Sequence, residues 1–93
     1  MKNEDIAKIF KALSDPRRVQ IVKILQGGEK CGCELIEKME MPQSTLSYHM
    51  KVLCRSGIVK SREEGKWTYY RVCQTGSRRA VDIIQKITAK PEK

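Results

Sequence analysis

Ninety-three residues, 40% apolar and 32% charged, read as one domain over 1–93, with a core of only modest size. No run of eighteen apolar residues is present, which excludes a membrane-spanning helix. Met1-Lys2-Asn3-Glu4-Asp5 lacks the pattern of a signal peptide, so the expected compartment is the cytoplasm, where thiols stay reduced. The net charge of +8 is uneven: residues 1–41 carry eight Lys/Arg against seven Asp/Glu, 42–72 six against two, and 73–93 five against two. A basic excess gathered in one segment suits a polyanionic partner, although a solvated surface explains the bare composition equally well.

In chain order, Ile6, Ile9, Phe10 and Leu13 recur at helical spacing and predict a first helix over about 3–13. Asp15 is placed to cap a second helix and Pro16 to occupy its first position. That helix carries Val19, Val22, Ile24 and Leu25 and stops at Gly27-Gly28. A third starts near Cys31 and ends about Met39, and Glu40-Met41-Pro42 turns the chain. A fourth runs from about Gln43 to Ser56, closed by Gly57. Ile58–Glu63 and Trp67–Cys73 are rich in β-branched and aromatic residues and read as two strands, joined through Glu64-Gly65-Lys66. Thr75 or Ser77 is the expected cap of a last helix bearing Ala80, Val81, Ile83, Ile84 and Ile87, which ends before Pro91.

Helices, a tight turn, another helix and a basic hairpin make a mainly α winged helix-turn-helix. The fourth helix is the decisive element. Leu46, Met50 and Leu53 form its apolar face, while Gln43, Ser44, Thr45, Ser47, Tyr48 and Lys51 form the rest of its early surface. Short hydroxyl and amide side chains at a helix N-terminus, backed by a lysine, suit hydrogen bonding to base edges and phosphates in a major groove. His49, the single histidine, sits one position off the apolar face and is expected to pack partly on the core or touch a phosphate. It has no second histidine at metal spacing. In the hairpin, Glu63 and Glu64 repel phosphate, which leaves Arg62 and Lys66 as the expected DNA contacts. Tyr70 and Val72 belong to the core on this reading, and Trp67 packs at the strand edge. The apolar residues of the first and last helices exceed what one 93-residue chain can cover, so a homodimer through the terminal helices is expected, reading a palindrome in double-stranded DNA.

Four stretches carry a resemblance. Ala12-Leu13-Ser14-Asp15-Pro16-Arg17-Arg18, the run Gln43 to Leu53, Gly57-Ile58-Val59, and Gly65-Lys66-Trp67-Thr68-Tyr69-Tyr70 resemble the ArsR/SmtB family of metal-sensing repressors, in the same order and spacing. The resemblance spans about residues 5–88 and implies a homodimeric winged-helix repressor that leaves its operator when an inducer binds. Cys31-Gly32-Cys33-Glu34-Leu35 looks like the third-helix site of the arsenic- and cadmium-responsive branches. Three departures stand out: Ile36 occupies the place of the arsenic prototype's further cysteine, residues 1–30 hold no cysteine, and the last helix holds no histidine.

In a regular helix Cys31 and Cys33 stand about 200° apart around the axis, too divergent to share one ion. They converge only if the first turn distorts, which Gly32 is expected to ease. The free N–H groups of a first turn also favour the thiolate. Soft ligands select thiophilic inducers, As(III) or Sb(III), then Cd(II) or Pb(II), with no resident cofactor required. Cys54 and Cys73 read as small buried hydrophobes. Two other functions stay open: a thiol-based redox or sulfur-species sensor on the same scaffold, and a winged-helix adaptor that binds protein instead of DNA. No nucleophile–base pair, phosphate-cradling loop or carboxylate dyad points to an enzyme.

Overall fold

Helices α1 (Asn3–Ala12), α2 (Pro16–Leu25), α3 (Gly32–Met39), α4 (Gln43–Ser56) and α5 (Gln74–Thr88) alternate with strands β1 (Lys30–Cys31), β2 (Val59–Glu64) and β3 (Trp67–Val72) in the computed structural model, which describes residues 1–91. Local signals set most boundaries. The Asp15 carboxylate accepts the Arg17 N–H at 2.7 Å, and Pro16 opens α2 where its missing N–H costs nothing. Gly57 closes α4 at φ 84°, in the left-handed region that favours glycine. The hairpin turns on two residues, with Gly65 at φ 62° in the first position, as a type II′ connection requires.

Two elements differ from the sequence expectation. The sheet has three strands in the order β1-β3-β2, because Lys30 and Cys31 pair antiparallel with Tyr70 and Tyr69. A two-residue strand has no periodicity to read, and only the partner strand defines it. The last helix is capped by Cys73, not by Thr75 or Ser77: its sulfur accepts the Gly76 N–H at 3.4 Å. That hydrogen bond lowers the Cys73 thiol pKa, so this buried residue is more than a small hydrophobe.

The core gathers Ile9, Ile21, Leu25, Leu35, Leu46, Met50, Leu53, Val59 and Ile83. The predicted α4 face is thus buried as expected. In α2 the most deeply buried residue is Ile21, which is not among the apolar positions expected to face the core, while Val19, Val22 and Ile24 are half-buried. His49 belongs to this interior and faces no phosphate. Its Nδ1 lies 2.9 Å from a terminal nitrogen of Arg18, itself buried, whose other nitrogens donate to the carbonyls of Ala12 and Lys11 at 3.1 Å. Since guanidinium can only donate, Nδ1 accepts and the ring proton sits on Nε2. Arg18 therefore caps the C-terminal carbonyls of α1, where a cation also suits the helix dipole, and ties α1 and α2 to α4.

α5 touches the rest of the chain through Gly76, Ala80 and Ile83. Gly76 presses on the α4–β2 turn so closely that an added Cβ would meet the carbonyl group of Gly57, 2.6 Å from its carbon atom. Both partners are backbone and cannot rotate away. Gly76→Ala is expected to destabilise the fold by about 2–3 kcal/mol through overpacking, read as a lower midpoint in urea at unchanged slope.

Candidate nucleic-acid interface and thiol site

α3 and α4 are joined by the turn at Glu40, which takes a left-handed conformation (φ 52°), and Met41 anchors that turn in the core. Burying Leu46, Met50 and Leu53 turns the opposite surface of α4 outward. Gln43, Ser44, Ser47, Tyr48 and Lys51 are exposed on it, and Thr45 is half-buried. Tyr48 keeps 53% of its surface open, its ring edge-on to His49 at 5.6 Å between centroids. Lys66 lies in the turn at the tip of the wing.

The second expected wing contact is otherwise engaged. Arg62 donates two hydrogen bonds of 2.8 Å to the Glu29 carboxylate and one of 2.6 Å to Glu64, and its guanidinium lies 4.6 Å from the centre of the Tyr69 ring. These bonds push the arginine pKa further up and hold Glu29 below the usual carboxylate range. Arg62 is therefore a clamp between the α2–β1 connection and the wing, with its charge already matched. In the sequence Arg62 is one more cation, because Glu29 lies 33 positions away.

The thiol pair is built differently from the helical expectation. Cys31 is the last residue of β1 and the N-cap of α3, with extended backbone (φ −68°, ψ 147°), so the 200° divergence does not apply. Gly32 is an ordinary first helical residue and not the source of a distortion. The Cys31 sulfur accepts the Cys33 N–H at 3.1 Å, and the Glu34 carboxylate accepts the Cys31 N–H at 3.2 Å, a capping box with sulfur in the hydroxyl's place. The Cα atoms of Cys31 and Cys33 are 5.2 Å apart and the two sulfurs are joined as a disulfide. Cys33 is exposed while Cys31 is buried. Once reduced to the dithiol, this short segment would present both sulfurs to one ligand.

The pair opens onto a cleft of about 290 Å³ between the start of α3, the start of α4 and the wing. Cys31, Cys33 and Ile36 form one wall, Gln43 and Ser47 a second, and Lys66 with Trp67 and Tyr70 the third. The structure thus brings the candidate inducer residues together with three of the candidate DNA contacts. Tyr70 is half-buried in the cleft wall, and Trp67 is half-exposed beside it, not packed away at a strand edge. Cys54 and Cys73 lie outside this cleft; burial raises the Cys54 thiol pKa, opposed in part by a hydrogen bond with Ser61. Among the described residues no three His, Cys, Asp or Glu side chains converge as metal ligands, and no helix is long and apolar enough to cross a membrane.

Comparison with known proteins places this geometry. The family model described as bacterial regulatory protein, arsR family, matches residues 15–61, from the cap of α2 into the wing. A cadmium resistance transcriptional regulatory protein CadC homolog of Staphylococcus aureus is 46% identical over 67 residues, 71% of this chain and 55% of that protein. The arsenical resistance operon repressor of Staphylococcus xylosus is 39% identical over 72 residues, 77% of this chain and 69% of its own length. The homodimeric winged helix-turn-helix DNA-binding domain Mb0332 from Mycobacterium bovis superposes with a TM-score of 0.74 at 27% identity, covering 97% of this chain and 86% of that one. With a turn-linked helix pair, a wing and these relatives in hand, the chain belongs to the arsR family of bacterial regulatory proteins, a winged helix-turn-helix transcriptional regulator.

Proposed function

We propose that this chain is a homodimeric repressor that holds a palindromic operator with the outer face of α4 and the wing, and releases it when a soft ion is chelated by Cys31 and Cys33. The observation that carries this reading is the shared cleft: both thiols line the same hollow as Gln43, Ser47 and Lys66. An occupant of that hollow sits between recognition helix and wing, and Cys31 itself stands opposite Tyr69 in the wing sheet through β1. The donor chemistry favours As(III) or Sb(III), then Cd(II) or Pb(II), in keeping with the names of the two staphylococcal relatives. The dimer is supported by Phe10, Val81, Ile84 and Ile87, exposed on the two terminal helices, by exposed Leu13 at the end of α1, and by the homodimeric Mb0332 domain. The test is operator release titrated with As(III), Sb(III), Cd(II), Pb(II) and Zn(II). Release at low concentration by the thiophilic ions supports the reading, and release by Zn(II) alone overturns it.

On DNA, Lys51→Ala and Lys66→Ala are expected to weaken binding to operator and random duplex about equally, each lowering the salt slope by roughly one. Ser47→Ala or Tyr48→Ala is expected to cost operator preference, by about 1–3 kcal/mol if a base contact is lost. Fluorescence anisotropy at several salt concentrations separates the two classes. Selective loss of operator preference in Lys66→Ala would reverse the assignment.

The joined sulfurs of Cys31 and Cys33 favour one second reading, a redox sensor that toggles between dithiol and disulfide. As(III) added to protein held fully reduced distinguishes the two. Release under those conditions belongs to inducer binding, and release by oxidation alone belongs to the sensor.

A further inference from the structure

We infer that the third donor to As(III) is a low-molecular-weight thiol carrying a carboxylate, seated in the cleft beside Cys31 and Cys33 with its carboxylate toward Lys66. The inference rests on the inducer reading above and names the ligand that completes it. Trivalent arsenic bonds three soft donors, and the chain supplies two. Ile36, three residues beyond Cys33 on α3, lines the cleft with a side chain that has no donor atom. Cys54 and Cys73 both lie outside the cleft. The cleft, at about 290 Å³, offers roughly ten times the ~30 Å³ share of one water, room for a small organic molecule. Lys66 is the one charged side chain in its lining among the described residues, and Gln43 and Ser47 add polar partners.

The chemistry balances with that thiol as the only co-reactant. Two molecules of thiol reduce the Cys31–Cys33 disulfide, giving two protein thiols and one molecule of the thiol's own disulfide. Arsenous acid, As(OH)₃, then condenses with the two protein thiols and one further thiol. Three As–O bonds break, three As–S bonds form, three waters leave, and arsenic keeps its oxidation state. The product sets a carboxylate against Lys66 between recognition helix and wing, where it cancels a cation on the DNA-facing side.

The test uses the 93-residue chain reduced with a thiol-free phosphine that is then removed. As(III) is added alone, with mercaptoacetate, or with neutral 2-mercaptoethanol, and followed by native mass spectrometry and arsenic K-edge X-ray absorption. The expected species with mercaptoacetate is protein plus one arsenic plus one thiol per site, with three As–S bonds; without added thiol one of the three becomes As–O. Mercaptoacetate should be incorporated about fivefold more readily than 2-mercaptoethanol, and Lys66→Gln should erase that preference. Ile36→Cys should give three As–S bonds with no added thiol and no thiol in the adduct, because residues three apart on a helix are surface neighbours. Arsenic bound to the parent protein through two sulfurs and one oxygen in excess mercaptoacetate overturns this inference while leaving the inducer site standing. Failure of the reduced parent to bind As(III) at all overturns both.

Discussion

Cys31→Ser is expected to keep operator affinity within about twofold of the parent while raising the As(III) concentration needed for release by at least about a hundredfold, since two linked donors typically outbind one by 10²–10⁴. The substitution is unusually clean because of where Cys31 sits. It is the N-cap of α3, its sulfur accepting the Cys33 N–H. Serine is among the preferred N-cap residues, so the box with Glu34 survives and the fold should not suffer. Cys31→Ala would remove ligand and cap together, adding about 1 kcal/mol of destabilisation and blurring the result. Cys33→Ser, at an exposed position, should lose the inducer response just as fully. The measurement is operator binding with and without As(III), beside thermal melts of each variant. Parental As(III) sensitivity in either serine variant would remove the thiol pair from the mechanism.

Arg18→Met should cost about 3 kcal/mol, because it strips a charged donor from three acceptors, two of them buried and one partly so. For a domain of this size that corresponds to a melting temperature lower by more than about 10 °C. Arg18→Lys should recover little, since a single ammonium cannot span the carbonyls of α1 and the His49 ring together. A pH dependence accompanies the cluster. Burial, then the charge of Arg17, lower the His49 pKa below its ordinary value, with Asp15 opposing and Arg18 adding to the effect. The unfolded chain therefore takes up this proton more readily than the folded one. The stability from neutral His49 is present above about pH 6.5, the unfolded value, and is lost as pH falls through the lowered folded value. Protonating Nδ1 also destroys the acceptor for Arg18 and sets two cations together. Melts at about pH 7.5 and pH 5.5 should show this loss in the parent and a smaller one in His49→Gln. An unchanged slope in His49→Gln would assign the acid sensitivity to other groups.

Much of the architecture is legible residue by residue. Asp15-Pro16, Gly57 and Gly65 mark boundaries because capping, proline's locked φ and left-handed backbone are local properties. The face of Leu46, Met50 and Leu53 is legible because burying it fixes which side of α4 faces out. The cysteine pair is legible as two closely spaced thiols near the start of a helix. Its geometry is not: an angular separation of about 200° holds only for a Cys31 inside α3, and pairing with Tyr69 on β3 places it just outside.

Arg62 and Arg18 show the same boundary from the side of charge. Each reads in the sequence as one more cation on a basic chain. Arg62 is neutralised by Glu29, and Arg18 is folded inward onto α1 and His49. Helix limits, the recognition face and the identity of the thiols follow from interactions within a few residues, which the order of side chains decides. The convergence of Cys31, Ile36, Ser47 and Lys66 on one cleft and the pairing of Arg62 with Glu29 depend on contacts between elements far apart in the chain. Their partners are chosen only when the sheet closes and the helices pack, because burial and electrostatic pairing act through space and not along the sequence.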